Sequence, residues 1–239
     1  MGTSQSHNLK SGPNWSEAKR AITGIVKETG DRNANCSKFM RSFSTAISGS
    51  YGRSGSIGAA GSRTTKNFVD FIGVAQTGGV NAILDLLQLQ QERDVLTKES
   101  FIEKIIIYVS GEHESTEDDD AAMIAMEKLL NDICSDCNSI EQIVEKLQNA
   151  TDDDKIDWII RFEIDYILEY AGELFQSHIL DKTDDPDRVF MEIRNWMHQE
   201  LDERISETLR PIDFSSDEGK EVVSNLTKEI LDIWKQQQM

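Results

Sequence analysis

Cys134 and Cys137 bracket the tetrapeptide "CSDC", the CxxC spacing shared by zinc sites and thiol–disulfide sites. A structural zinc requires four ligands, and the chain supplies neither a second cysteine pair nor an HxxxH. Redox CxxC motifs stand at a strand-to-helix junction, whereas this one closes a run of helical periodicity. We read the two thiols as small apolar side chains at a helix end. The acidic runs "EHESTEDDD", "TDDDKID" and "DKTDDPD" gather oxygen ligands of the kind a hard cation takes. A calcium loop of the EF-hand type also needs glycine at its sixth position and glutamate at its twelfth, and no run supplies both. Each run lies just ahead of a helical stretch, where Asp and Ser cap exposed backbone N–H groups. His7, His113, His178 and His198 are scattered, and no GxSxG or HExxH occurs. The residues make no independent case for an enzyme, a metal or a cofactor.

A different kind of pattern runs through "GSYGRSGSIGAAGSR", where Gly49, Gly52, Gly55, Gly58 and Gly61 fall at every third position. Collagen would need many more triplets and abundant proline. Two readings remain. Glycine turns can cradle phosphate, with Arg53, Arg63 and Lys66 supplying positive charge. They can also form a plain connection, or let two parts of the chain approach closely. No GxxxxGK[ST] is present to favour a nucleotide loop.

Chemistry of another sort sits at "MGTSQS". Gly2 is the smallest residue that can follow an initiator methionine, which favours removal of Met1 and leaves a glycine amine. The pKa of an α-amine is about 7.7–8.0, against about 10.4 for lysine. At about pH 7.5 roughly a third of it is therefore the unprotonated nucleophile, against about one lysine in a thousand. No side chain crowds the attacking nitrogen. Gly2 followed by Ser6 also fits the loose M-G-x-x-x-[ST] pattern of N-myristoylation. A single acyl chain holds a membrane only marginally, and Lys10, Lys19 and Arg20 add little.

The elements that must position these groups are helical. Met1 to Trp15 is polar and carries the breaker "SGP", so residues 1–15 are read as a flexible arm. Ser16 is the expected N-cap of a first helix, with Ala18, Ala21, Ile22, Ile25 and Val26 on one face and Gly30 beyond its end. "SKFMRSFSTAIS" gives a second, with Phe39 and Phe43 inward. "NFVDFIGVAQ" and "VNAILDLLQLQ" follow, separated by "TGG". "TKESFIEKIIIYVSG" is read as a helix, although its isoleucine-rich centre also suits a strand. "SIEQIVEKLQ" opens with a capping box from Ser139 to Gln142. A long amphipathic run extends from about Asp153 to Leu180. Another starts at Pro186, a favoured first helical position, and closes at Pro211. "DEGKEVVSNLTKEILDIWKQQQ" is the last. The expected fold is an all-α, irregular helical bundle.

The totals agree with a folded, helix-rich chain. Of 239 residues, 38% are hydrophobic and 28% charged, and prolines number only three. The longest apolar run, "IIIYV", is too short to span a bilayer, and the amino terminus lacks the apolar core of a secretory signal. Cytoplasmic placement, with no membrane partner, is the resulting expectation. Three cysteines cannot build a disulfide framework. Charge is uneven. Residues 1–68 hold ten Lys/Arg against three Asp/Glu, a balance of +7. Since the whole chain carries −18, the remainder carries −25. We divide the chain into the arm (1–15), a basic helical and Gly/Ser-rich segment (16–68) and an acidic helical domain (69–239). The acidic part repels nucleic acid, so any such contact falls to the head, through Arg41, Arg53, Arg63 and Lys66.

The start "MGTSQS", the element "GPNW", the basic helical segment and "GRSGSIGAAGSRTTKNF" together resemble the B component of Qat anti-phage defence systems. The likeness covers roughly the first third of the chain. The approach "LKSGPNW" lacks the longer Pro-Pro-Trp stretch of that family. The resemblance implies a bacterial four-component operon whose other members are a P-loop ATPase, a QueC-like enzyme and a TatD-like nuclease. It implies a component with no catalytic motif of its own and no cofactor. QueC-like enzymes activate a deazaguanine carboxylate with ATP and capture it with ammonia. Replacing ammonia by the Gly2 amine would give an amide-linked base on the chain, with Thr3, Ser4 and Trp15 as the recognised flank. The alternative is an adaptor that grips nucleic acid or the ATPase through its basic segment.

Overall fold

In the computed structural model, nine α-helices account for most of the described residues, which are 12–48, 57–111, 116–172, 179, 183–214 and 216–236. No strand occurs among them. The all-α expectation holds, and "IIIYV" is helical. Its centre shows why it looked ambiguous: the run is apolar on every side but is not buried on every side, for Ile105 and Val109 are fully buried while Ile107 is 53% exposed.

The helices are α1 (Pro13–Val26), α2 (Arg32–Ser48), α3 (Ala59–Leu86), α4 (Lys98–Ser110), α5 (Glu117–Ile133), α6 (Ile140–Gln148), α7 (Asp152–Tyr170), α8 (Pro186–Leu209) and α9 (Asp217–Lys235). One 3-10 turn, Arg93–Val95, precedes α4. Helix α3 is the spine. It packs against α4, α5, α6, α7 and α9, while α1 folds back on α2 and α2 leans on α8 and α9. A single apolar core joins them. Phe39 and Phe43 of α2, Phe68 and Phe71 of α3, Phe101 of α4, Phe162 of α7 and Trp234 of α9 are all buried in it.

Several boundaries move from where the sequence placed them. Helix α1 starts at Pro13, with Gly12 (φ 126°) as the cap position and Ser16 already in its first turn. The missing proline N–H suits the first helical position. Trp15 is thereby carried into the core, 7% exposed, its ring edge-on to Phe43 at 5.8 Å between centroids. Helix α2 begins at Arg32, because Asp31 Oδ1 accepts the Ala34 N–H at 2.7 Å. The "TGG" spacer, by contrast, breaks the helix where the sequence placed it: Gly79 takes a non-helical φ 60° and ψ −155°, so α3 is two helical stretches joined at a kink. The run expected to continue to Leu180 stops at Tyr170, with Ala171 at its cap; Leu174 lies outside the described residues.

The division between residues 68 and 69 falls inside α3, where Phe68 and Val69 are both buried, so the charge boundary is not a packing boundary. Ion pairs cross it. Arg32 meets Glu192 at 3.2 Å, Arg63 meets Asp119 at 2.6 Å, and Arg188 meets Glu28 at 3.1 Å. No described helix is long and apolar enough to cross a membrane.

Candidate functional site

Gly2, Thr3, Ser4 and Arg53 lie outside the described residues, as do His7, His113 and His178. What the structure does describe is the root of the leading segment. The chain enters α1 through Gly12 and Pro13 and is anchored two residues on by Trp15. Trp15 was expected to contribute to partner recognition. Its indole instead fills the α1–α2 interface, because helical spacing puts it in line with Ala18, Ile22 and Ile25.

Of the basic contacts, Arg41 lies on α2 and Arg63 and Lys66 lie on α3. Arg41 is half-buried, 4.0 Å from Glu17 on α1. Lys66 is exposed on α3. Arg63 is tied inward: its Nη2 donates to Asp119 and its Nε to the Ser110 carbonyl at 2.8 Å. It thereby holds the last turn of α4 and the first turn of α5 to the spine.

The acidic runs behave as caps, with one instructive exception. Thr116 forms a reciprocal box with Asp119, Thr151 with Asp154, and Asp185 accepts the Arg188 N–H at 3.2 Å. Ser139 caps α6, but the Gln142 side chain accepts from Asn138 N, one residue earlier than the box pattern places it. Asp118 is the exception. It sits in the first turn of α5 and caps a different helix, accepting the Gly58 N–H at 3.1 Å and the Ala60 N–H at 2.7 Å at the start of α3. Tyr166 of α7 donates its hydroxyl to the same carboxylate and receives the Gly58 N–H at 2.6 Å. Burial raises the Asp118 carboxyl above its ordinary value, and the donors from Tyr166, Ala60 and Gly58 oppose that rise. The Tyr166 phenol is raised well above its usual value by burial and by the neighbouring Asp118 charge.

Glu163, one turn back along α7, completes this interior polar centre. It is fully buried, and its two oxygens meet Thr65 of α3 at 2.9 Å and Thr227 of α9 at 2.8 Å. Burial raises its carboxyl to about 7, against the pull of the two hydroxyls and with the help of the Asp118 charge. Two glycines of the third-position series belong here. Gly58 supplies the N–H for Asp118 and adopts φ 120°. Gly61 lies under the Tyr166 ring, where an added Cβ would be 2.3 Å from Cε1. Of the two readings of that series, these positions serve close approach. The sequence signal for the centre was present in "IIRFEIDYIL", where Glu163 and Asp165 interrupt an apolar run. Asp165 is also buried and is paired with Arg194 at 2.6 Å.

Of the clefts that open elsewhere, two lie against α7. One, of about 450 Å³, lies among α3, the start of α7 and the α8–α9 connection. Its cations are locally matched: Lys155 to Asp152 at 2.7 Å, Lys220 to Asp70 at 3.0 Å, and Arg210 to Asp153 at 3.5 Å. The other, of about 500 Å³, lies among α5, α7 and α8. It is floored by Leu168 and rimmed by the Lys128–Glu169 and Arg194–Asp165 pairs. Neither is lined by Asp118, Glu163 or Tyr166. Cys36 and Cys134 are buried thiols pushed up to about 12, chiefly by burial, and Cys137 is raised by the same cause. All three are free. His198 meets Asp157 at 3.1 Å between α8 and α7. Among the described residues no group of three or more His, Cys, Asp or Glu is placed to hold a metal ion. No family model, curated protein or solved structure matches the chain.

Proposed function

We propose that this chain is a non-catalytic, partner-binding component of a bacterial anti-phage system of the Qat type, acting in the cytoplasm. Its Gly2 amine is the acceptor of a deazaguanine acyl group delivered by a QueC-like enzyme. In that step the Gly2 nitrogen bonds to the ATP-activated acyl carbon, the ATP-derived group leaves, and the amine gives up a proton. Thr3 and Ser4 form the recognised flank. Trp15 takes the role of an anchor rather than of a contact, fixing where the leading segment joins the helices. The P-loop ATPase and TatD-like nuclease are the further partners.

The observation that carries the reading is the "MGTSQS" opening, set ahead of "GPNW" and the Arg/Gly/Ser stretch. The interior offers a consistent background. Asp118 and Glu163, both raised by burial, hold helix ends and helix faces together and line neither cleft. Asp165, raised by the same cause, stands at the rim of one cleft and is paired with Arg194. The competing adaptor reading gives phosphate contacts to the basic segment. It is weakened because Arg63 is committed to Asp119 and Ser110.

Intact mass spectrometry of the chain co-expressed with a QueC-like partner tests the proposal. The expected result is the loss of Met1 and a gain of one deazaguanine acyl group on Gly2. Gly2→Pro should abolish both the adduct and phage protection; protection that survives without the adduct rejects the reading. DNA binding by the unmodified chain that weakens steeply with salt would instead support the adaptor.

A further inference from the structure

Around Glu163 the hydroxyl hydrogens are too few for an ionised carboxylate. The Thr65 hydroxyl has one hydrogen, yet its oxygen lies 3.0 Å from the Gly61 carbonyl and 2.9 Å from Glu163 Oε1. With Glu163 ionised, two acceptors compete for that one proton, and a fully buried charge is left with hydroxyl partners only. With Glu163 protonated, every group is satisfied. Its O–H donates to Thr65, Thr65 donates to Gly61, and Thr227 donates to the second oxygen. Glu163 takes part in no ion pair among the described residues. The titratable groups acting on it are Asp118 from α5 and Tyr166 from its own helix. Helices α3 and α9 present only the hydroxyls of Thr65 and Thr227. Asp118, with two N–H donors at the start of α3 and the Tyr166 hydroxyl, is the better-stabilised anion, and its charge disfavours a second one nearby.

We propose that Glu163 is carried inside the fold as a neutral carboxylic acid and works as a proton-operated clasp. It holds α9 to α3 and α7 while protonated and loosens that junction once ionised.

The sign follows from linkage. Burial raises the carboxyl from 4.5 to about 7, so the folded state holds the proton more tightly than the unfolded chain. The clasp's contribution is full below the ordinary glutamate value and is lost as pH rises through about 7. Glu163→Gln reproduces the neutral geometry, its amide donating to Thr65 and its carbonyl accepting from Thr227, and it cannot ionise.

The experiment uses the full chain. The wild type should show an infrared carbonyl band of a protonated, buried carboxylic acid at about pH 5.5 that disappears by about pH 8.5 and is missing in Glu163→Gln. At about pH 8 the Tm of Glu163→Gln should exceed that of the wild type by several degrees, and the gap should close toward about pH 5. Amide exchange, corrected for its intrinsic pH dependence, should speed up in α9 over the same range in the wild type alone. If Glu163→Gln does not fold, Thr65→Ala takes its place: removing the acceptor of the acid's proton should shift the band. An absent band, a band unmoved by Thr65→Ala, or a Tm gap independent of pH overturns the proposal.

Discussion

Replacing Gly61 by alanine should destabilise this protein, although the same change in an exposed helix interior stabilises by about 1 kcal/mol. The new methyl carbon would stand 2.3 Å from Tyr166 Cε1, 2.7 Å from Cζ and 2.8 Å from Cδ1. Ordinary carbon–carbon contact is about 3.5–4.0 Å, so the ring would have to retreat by roughly 1 Å. It has little room. Tyr166 is fully buried, lies parallel to Phe162 at 5.9 Å between centroids, and is pinned at its hydroxyl by Asp118 and Gly58. Overpacking costs about 1–3 kcal/mol, and disturbing the buried hydroxyl about 1–3 more. After the helical gain is set against these terms, the net loss is roughly 1–5 kcal/mol. At about 2–4 °C per kcal/mol for a chain of this size, Tm should fall by roughly 2–20 °C. Gly73, three turns on in the same helix, is the control: nothing lies within 4 Å of its added Cβ. Gly73→Ala should raise Tm by about 2–4 °C. Thermal unfolding followed by circular dichroism reads both. A Gly61→Ala protein as stable as the wild type, or one that shifts in the same direction as Gly73→Ala, would refute the reasoning.

Two further outcomes follow from the same interior. Arg63→Gln should lower the urea midpoint by an amount equal to about 1–2 kcal/mol with an unchanged slope, because Asp119, 5% exposed, loses its cation; an unmoved midpoint would return Arg63 to the pool of surface contacts. Cys36, Cys134 and Cys137 should be silent toward a thiol-specific disulfide reagent at about pH 8 in the native protein and all react on unfolding, since burial raises each thiol. A native thiol reacting at the rate of free cysteine would reopen the redox reading of "CSDC".

The amino-acid order alone was enough for most of the helices, because each depends on local terms: apolar residues at helical spacing, Asp185 as a cap and Pro186 at a first turn, although Thr116 and Thr151, not the expected Asp or Ser, cap α5 and α7. For "CSDC" the order alone offers no second ligand pair for a metal. Boundaries were less legible where neighbours intervene. Trp15 looked like part of a polar arm until α2 supplied Phe43 for it to pack on. The charge split at Phe68 is not a packing boundary, because α3 runs through it and ion pairs act through space regardless of chain position. The interior polar centre was the least legible. Asp118 resembles any acid at a helix start, and only the docking of α5 beside α3 makes it cap Gly58 and Ala60, about sixty residues upstream. Glu163, Thr65 and Thr227 come from three separate helices. Local sequence sets what each helix is. Which hydroxyl meets which carboxylate, and hence which carboxyl keeps its proton, is decided by how the helices exclude water when they pack.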